Sequence, residues 1–247
     1  SCAGTQRTFT ITVNPNADLL IIADPGTVLC EGDPTLLTVY DAAGSTPPGT
    51  LYNQTGVAGN GSPSQVFEPA NAAFSSQAAD DFTVPAGARW TVTRVTANGI
   101  NTASGVPTSV NVFFYNNSAS NLPGTAIASY TNLTTFVRAG ADYSIDIPAT
   151  VLLGGTYWMS VQVDMNFGTS GQWFWGNFGT TNIGNEYAWQ NPGGGFGTPC
   201  TSWGYGSTGC AVGGGVNRNN RFTIYGSSVL PGPQSTGTFL WSPAAGL

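Results

Sequence analysis

Trp90–Thr96 (WTVTRVT) and Ser109–Tyr115 (SVNVFFY) are the two stretches that decide the fold of this chain. Apolar and polar side chains alternate with a period of two over most of both stretches, which is the pattern of a half-buried β-strand, although Val95 breaks the alternation of the first and implies a bulge or a twist. Glycine, proline and asparagine separate such runs, with turns predicted at Pro85–Gly87, Pro123-Gly124 and Gly154-Gly155. Many short strands at this spacing predict an all-β fold of the β-sandwich type. The other predicted strands are Thr8–Val13, Leu36–Tyr40, Thr125–Tyr130, Tyr143–Ile147, Thr156–Val163, Gln172–Gly176 and Arg221–Tyr225.

The charge composition excludes several classes of function. The 247 residues include 6 basic residues, all of them arginine, 12 acidic residues and no histidine, so the net charge is −6. Without histidine the chain cannot form a Ser-His-Asp triad, a Cys-His pair or an imidazole metal site. Without lysine it has no Schiff-base amine, no P-loop lysine and no amine for an isopeptide cross-link. An acidic chain with few, scattered arginines is also a poor partner for nucleic acid.

Cysteine usage and hydropathy favour a secreted protein that does not insert into a membrane. The longest apolar run, Leu19–Ala23, is far shorter than the ~20 residues that cross a bilayer. Four cysteines in a lysine-free chain rich in Thr, Asn and Gly are typical of an oxidising, extracellular setting. Hydroxyl and amide groups keep such a surface soluble, which leaves little like-charge repulsion against self-association. We therefore predict an extracellular, cell-surface location.

Both ends of the chain resemble parts of a known module. Cys30–Asp33 (CEGD), followed by Leu36–Thr38 (LLT), resembles the start of the immunoglobulin-like, PKD-like modules of large secreted bacterial proteins. Trp241–Leu247 (WSPAAGL) is similar to the middle of those modules. The modules finish with a cysteine and a strand ending TVNP, which Cys2 and Thr10–Pro15 resemble, although here they come first. The resemblance implies a segment of a longer, repetitive polypeptide, or a subunit whose module is completed by a neighbour.

The part of the chain between these ends resembles a second kind of domain. Gln77–Pro85 (QAADDFTVP), Ser109–Tyr115, Leu122–Thr125 (LPGT) and Gly155–Trp158 (GTYW) resemble an uncharacterised β-sandwich of large secreted bacterial surface proteins. This resemblance implies a jelly-roll-like sandwich in an extracellular setting, but no activity, because a fold does not carry function. We expect the terminal strand of one immunoglobulin-like module at 1–15, the first strands of the next at 16–44, a large jelly-roll-like β-sandwich at 45–228, and a linker with a continuing immunoglobulin-like strand at 229–247.

The adjacent residues Asp80 and Asp81 are the first candidates for chemistry. Neighbouring side chains of a strand point to opposite faces, so the two carboxylates diverge and cannot form a catalytic dyad. The leading interpretation is the start of a strand, with one Asp capping a turn. The alternative is a calcium site, since carboxylate oxygens suit calcium, which is the one cofactor that the sequence leaves open. No catalytic residue is predicted: a glycosidase needs facing carboxylates, and Glu186, the acid among aromatic residues, is expected to be exposed.

An aromatic cluster in the segment 157–205 allows three interpretations. Trp173 and Trp175 alternate around Phe174, so the two tryptophans share one face of a strand and Phe174 takes the other. Core packing, a subunit interface and polysaccharide binding all fit this pattern, because exposed Trp and Tyr rings stack on sugar rings. The candidate platforms for a polysaccharide are Trp173, Trp175, Trp189, Trp203 and Tyr205.

The cysteines divide into two pairs. Cys200 and Cys210 close a loop rich in Gly and Ser, where a disulfide would remove ~3 kcal/mol of unfolded-state freedom. Cys2 and Cys30 are the cysteines of the immunoglobulin-like modules, and they pair either within one chain or between neighbouring copies. Four sequences match the pattern for N-glycosylation, at Asn53, Asn60, Asn116 and Asn132.

These observations favour a non-catalytic extracellular structural protein, a subunit or repeat of a filament, sheath or adhesin stalk. Open sheet edges pair readily with added strands, so copies would associate head to tail when a strand of one completes the sheet of the next. The candidate strand carries Phe9, Ile11 and Val13 on one face. A head-to-tail contact that does not close gives a filament. The alternative is a carbohydrate-binding or adhesive module that uses exposed Trp and Tyr residues.

Overall fold

A computed structural model describes residues 19–24, 36–41 and 49–229 of the chain, with side chains described over 49–229. The chain divides into two compact units, one of residues 47–228 and one of residues 1–46 together with 229–247. In the latter, the described residues form one antiparallel pair, β1 (Leu19–Asp24) and β2 (Leu36–Asp41), which contains the strand predicted at Leu36–Tyr40.

Several predictions from the ends of the chain fall outside the described residues. These are the strand with Phe9, Ile11 and Val13, the pairing of Cys2 and Cys30, and the WSPAAGL segment. They stay predictions.

The large unit confirms the predicted all-β, sandwich-like fold. Its helical segments are short: the turns Pro69–Phe74 and Gly213–Gly215, and the single-turn helix α1 (Phe167–Ser170). None of the described helices is long and apolar enough to span a membrane. The strands are β3 (Gly49–Gln54), β4 (Gly61–Pro63), β5 (Gln65–Val66), β6 (Gln77–Ala97), β7 (Gly99–Asn101), β8 (Ser109–Asn117), β9 (Pro123–Leu133), β10 (Val137–Ala139), β11 (Asp142–Asp164), β12 (Trp173–Phe178), β13 (Ala188–Gln190), β14 (Gly204–Tyr205), β15 (Asn219–Asn220) and β16 (Phe222–Val229).

Two sheets organise these strands. The larger has the order β14-β13-β6-β11-β8-β9, with β5 and β10 paired to β11, β16 paired to β6, and β3 paired to β16. The smaller has the order β15-β12-β4, with β7 also paired to β12. β5 pairs with β11 in parallel. The central pairs β6–β11, β8–β11 and β8–β9 are antiparallel, and so are the pairs of β12 with β4, β7 and β15. The pairs β10–β11, β13–β14, β6–β13 and β3–β16 are antiparallel as well.

The central pair of the larger sheet is longer than the sequence predicts. The predicted strands Tyr143–Ile147 and Thr156–Val163 are parts of the single strand β11, which pairs with β6 from Tyr143 opposite Ala97 to Met159 opposite Asp80. The turn expected at Pro85–Gly87 is a bulge within β6, where Gly87 has φ 76°. It faces Gly154, where a Cβ would lie 2.8 Å from the Pro85 carbonyl oxygen. Two turn-forming sequences therefore face each other as bulges, and the strands continue past them.

The core is dominated by aromatic residues, and it lies on both faces of the larger sheet. The main cluster includes Trp173 and Trp175 of β12, which stack with ring centroids 6.4 Å apart. A smaller cluster contains Trp158 and Tyr115, with the half-buried Trp203 packed against it. Neighbouring residues of β11 confirm the alternation, because Met159 belongs to the main cluster and Trp158 to the smaller one.

Candidate functional site

Asp80 is completely buried and connects the two sheets. Its Oδ2 accepts hydrogen bonds from Gln54 Nε2 at 2.7 Å and from the backbone N–H of Asn220 at 2.6 Å. Its Oδ1 accepts from the backbone N–H of Asp81 at 2.9 Å, and Gln54 accepts from the Tyr52 hydroxyl at 2.6 Å. Burial, and secondarily the nearby Asp81, raises the pKa of Asp80 well above its usual range. Because Gln54 lies in the larger sheet and Asn220 in the smaller, this carboxyl group holds the layers together.

A chain of buried amides and hydroxyls continues from Asp80 through the smaller sheet. Asn177 Nδ2 donates to Asn220 Oδ1 at 2.5 Å, and Ser62 Oγ donates to Asn177 Oδ1 at 2.9 Å. All three of these residues are fully buried. These hydrogen bonds favour one arrangement of the layers over others, because a slip would break them, although Asn220 Nδ2 itself is buried without a hydrogen-bond partner.

Asp81 is 2% exposed and has separate partners. Its Oδ1 and Oδ2 accept from the backbone N–H of Asn185 at 3.0 and 3.1 Å, and Oδ2 also accepts from Asn185 Nδ2 at 2.7 Å. Gly184, with φ 73°, makes this approach possible, since a Cβ there would lie 2.6 Å from Asp81 Oδ1. Burial raises the pKa of Asp81 to about 6.

These contacts correct the interpretation of Asp80 and Asp81 as the start of a strand. The two residues do not start a strand, because β6 begins at Gln77. Each of their four carboxylate oxygens already accepts a hydrogen bond from an N–H group. Among the described residues, no group of three or more Asp, Glu or Cys side chains is placed to hold a metal ion. The arrangement is that of buried structural acceptors, and calcium binding at Asp80 and Asp81 stays a prediction.

Glu186 is buried, contrary to the expectation of an exposed strand edge. Its Oε1 accepts from the backbone N–H groups of Ser207 and Thr208, both at 2.7 Å. Its Oε2 accepts from the Thr208 hydroxyl and from Arg218 Nη1, both at 2.9 Å. Ser207 and Thr208 belong to the loop closed by the predicted disulfide Cys200–Cys210, which is present with a Cα–Cα distance of 5.5 Å. Glu186 therefore fixes a loop that has little apolar packing of its own.

Three of the five candidate sugar platforms cannot contact a ligand. Trp173, Trp175 and Trp189 are 0% exposed, and each indole N–H donates to a backbone carbonyl oxygen at 2.8 Å. Trp203 and Tyr205 are half-buried, and the Trp203 ring packs edge-on against Tyr115. The three buried tryptophans belong to the core, which corrects their assignment as platforms.

The face of β12 opposite its tryptophans forms a shallow groove of about 670 Å³. Phe174 takes this face, as the alternation predicts, and it pairs across the strands with Ile100 on one side and Pro63 on the other. Phe196 and Val212 complete the apolar lining, and the glycine-rich segments 59–61 and 213–214 form its rim. No lining residue is charged. Phe196 belongs to the aromatic cluster of 157–205, but a single aromatic residue in a glycine-rich loop has no periodic pattern that would predict which surface it faces.

The strand β9 leaves one edge of the larger sheet unpaired in the described part of the chain. It is 11 residues long, and no charged residue occurs anywhere in 95–137. Ala128, Tyr130 and Leu133 pack against the core but stay half-buried, because no further strand covers them. Register shifts interrupt its pairing with β8, and the regular part places Ala128–Tyr130 opposite Val112–Phe114.

The four candidate glycosylation sites are all accessible in the structure. Asn53, Asn60, Asn116 and Asn132 are exposed, so none is excluded by burial. Their modification stays a prediction.

No protein-family model, no curated protein and no solved structure matches this chain. The resemblances of its ends and of its central part to secreted bacterial surface proteins therefore stay predictions. The features of the structure that bear on function are the unpaired edge at β9, the groove on the outer face of β12 and the buried polar groups.

Proposed function

We propose that the chain is a non-catalytic extracellular structural protein, a subunit or repeat of a filament, sheath or adhesin stalk. The observation that carries the proposal is the uncharged edge strand β9, whose core-facing side chains are only half covered. An unpaired edge without charges is a template for an added strand. Copies would assemble head to tail through that edge.

The strand to be added is Thr8–Val13 of a neighbouring copy. This segment has no charged residue, and as an extended strand it would place Phe9, Ile11 and Val13 on one face. Beside Ala128–Tyr130, its backbone would satisfy the free donors and acceptors of β9, and its apolar face would cover Tyr130. Each apolar side chain that becomes fully buried contributes roughly 1.5–3 kcal/mol before ordering costs. Burial of three such residues would offset part of the freedom that two copies lose when they associate, so assembly would depend on concentration.

The acidic groups of the large unit support a structural role. Asp80 and Asp81 bind backbone and amide N–H groups, and Glu186 binds Arg218 and the disulfide loop. A second ion pair, between Arg94 and Asp146, is exposed on the surface. The Cys200–Cys210 disulfide is compatible with an oxidising, extracellular setting.

Assembly is tested by sedimentation velocity over a wide range of protein concentration, with negative-stain electron microscopy of the native material. We expect concentration-dependent oligomers or filaments from the unmodified chain. Ser129→Lys, in the exposed regular part of β9, should abolish them, because a charge at an edge opposes strand addition. Val57→Lys adds the same charge at a 93% exposed position outside any strand, and it should assemble normally.

Two results would overturn the proposal: a chain that stays monomeric at every concentration, or assembly that Ser129→Lys leaves intact. Repeating the microscopy after reduction tests the bridging role of Cys2 and Cys30. Reduction also opens Cys200–Cys210, so filaments that collapse on reduction, and that also fail to form from Cys30→Ser, indicate that Cys2 and Cys30 pair between copies.

A further inference from the structure

We propose that the groove on the outer face of β12 binds a neutral polysaccharide, with Phe174 and Phe196 as stacking platforms. The inference does not depend on strand addition at β9. It also differs from the sequence-based assignment, whose candidates Trp173, Trp175 and Trp189 are buried.

The two rings are held in place by the core beneath them. Phe174 lies between Trp173 and Trp175, whose burial fixes the strand and directs the Phe174 side chain outward. Phe196 has its backbone N–H bonded to Asn191 Oδ1 at 3.0 Å, and its ring packs edge-on against Trp189 at a centroid distance of 5.6 Å. Both rings are half-buried and both line the groove. Preorganised rings lose little conformational entropy when a ligand binds.

The rim of the groove offers neutral hydrogen-bonding groups. Asn60 is exposed there, and the Thr198 hydroxyl lies on the opposite loop. At Gly214, with φ 76°, a Cβ would lie 2.1 Å from Asn60 Nδ2, so only glycine lets the loop pack this closely. Glycine backbone at a rim lets a ligand approach main-chain N–H and C=O groups directly.

Charge decides which class of ligand fits. No residue of the groove is charged, and the chain carries a net charge of −6. An anionic polymer would be repelled by the protein as a whole, and a cationic one would find no counter-charge in the groove. A neutral sugar has the complementary chemistry, because its C–H faces pack on aromatic rings while its hydroxyls pair with amides, hydroxyls and backbone groups.

The size of the groove argues against a second copy of the chain as the occupant. Twelve residues line the groove. A stable protein–protein interface uses roughly 20–30 residues on each side. A chain of sugars needs only a narrow strip with a few rings, which this groove provides.

The test is affinity electrophoresis of the full chain in gels that contain one soluble polysaccharide each. The neutral panel comprises β-1,3-glucan, β-1,4-glucan derivatives, α-glucan, mannan, galactan and glycol chitin; alginate and hyaluronan are the anionic controls. We expect retardation by at least one neutral polymer and by neither anionic one. Phe174→Ala and Ile100→Arg should each raise the apparent Kd by about tenfold or more. Ile100 is 37% exposed, so its substitution blocks the groove without opening the core.

Phe167→Ala is the matched control, since Phe167 is 48% exposed and lies outside the groove. It should bind as the unmodified chain does, and near-ultraviolet circular dichroism verifies that each variant is folded. The proposal is overturned if no neutral polymer retards the chain, or if retardation survives both groove substitutions. It is also overturned if Phe174→Ala abolishes self-association but not retardation, because the occupant would then be another copy.

Discussion

The stability of this protein should increase as the pH falls from 7.5 to about 5. The chain has no histidine, and among the carboxyl groups of the described residues the buried ones of Asp80 and Asp81 are those whose pKa is raised on folding. Both have a raised pKa, chiefly because burial penalises the charged form. The folded state therefore binds more protons than the unfolded state between the two pKa values, and unfolding becomes easier as the pH rises through them.

The magnitude follows from Asp81, whose pKa rises from 3.8 to about 6 on folding. At about 1.4 kcal/mol per unit, this difference amounts to about 3 kcal/mol of stability lost between pH 4 and pH 7.5. Asp80 contributes in the same direction. Burial, and secondarily the nearby carboxylates, raises the pKa of Tyr52 and of Tyr187. Both hydroxyl groups therefore stay neutral throughout this pH range. Glu68 and Asp146 have lowered pKa values, so the stability that they contribute is present above their ordinary pKa values of 4.5 and 3.8 and is lost only as the pH falls further.

The assay is urea unfolding followed by tryptophan fluorescence at pH 4.5, 5.5, 6.5 and 7.5. Asp81→Asn removes one titrating group and should flatten the dependence of unfolding free energy on pH. Asp146→Asn is the matched control, because this exposed carboxyl group is already ionised across the range and its loss should leave the slope unchanged. A free energy that is constant or rises from pH 5.5 to 7.5, or an unchanged slope in Asp81→Asn, would refute the reasoning.

Three further perturbations test the packing around the site. Glu186→Gln leaves Arg218 without its anionic partner, and we expect a loss of about 3 kcal/mol in the urea assay, with Thr208→Ala costing much less. Reduction of Cys200–Cys210 should lower the free energy of unfolding by about 3 kcal/mol, and limited proteolysis should then cleave within the loop. Trp175→Ala should lower the free energy of unfolding by about 3–5 kcal/mol. Trp175→Phe keeps an aromatic ring in the core and should lower it by less. Equal losses in the two variants would contradict the packing described.

Local pattern predicted most strands but not their length. The alternation in Ser109–Tyr115 and Trp90–Thr96 corresponds to β8 and to part of β6. The sequence also predicts turns between strands at Pro85–Gly87 and Gly154-Gly155, because glycine and proline ordinarily end a strand. Here the two breaks face each other across β6 and β11, so each accommodates the other as a bulge. Only the register between strands distant in sequence decides this outcome.

The buried acids show a second limit of sequence reasoning. Asp80 and Asp81 look like surface residues because their partners are far away: Asn220 follows Asp80 by 140 positions, and Asn185 follows Asp81 by 104. Glu186 is misjudged for the same reason, since its donors are backbone N–H groups of a loop. Hydrophobic periodicity describes which face of a strand is buried, and it contains no information about which amide will meet a carboxylate there.

The two proposals concern separate parts of the large unit, and this separation makes each a control for the other. The edge that accepts a strand belongs to β9 in the larger sheet, whereas Phe174 lies on the outer face of the smaller sheet, and no residue of β9 lines the groove. Ser129→Lys should therefore abolish assembly while polysaccharide retardation persists, and Phe174→Ala should do the reverse. If one substitution removes both properties, assembly and binding share a surface, and the assignment of separate sites is wrong. If each removes only its own property, a filament of this chain would display one polysaccharide site on every copy, and weak binding at each site would add up along the polymer.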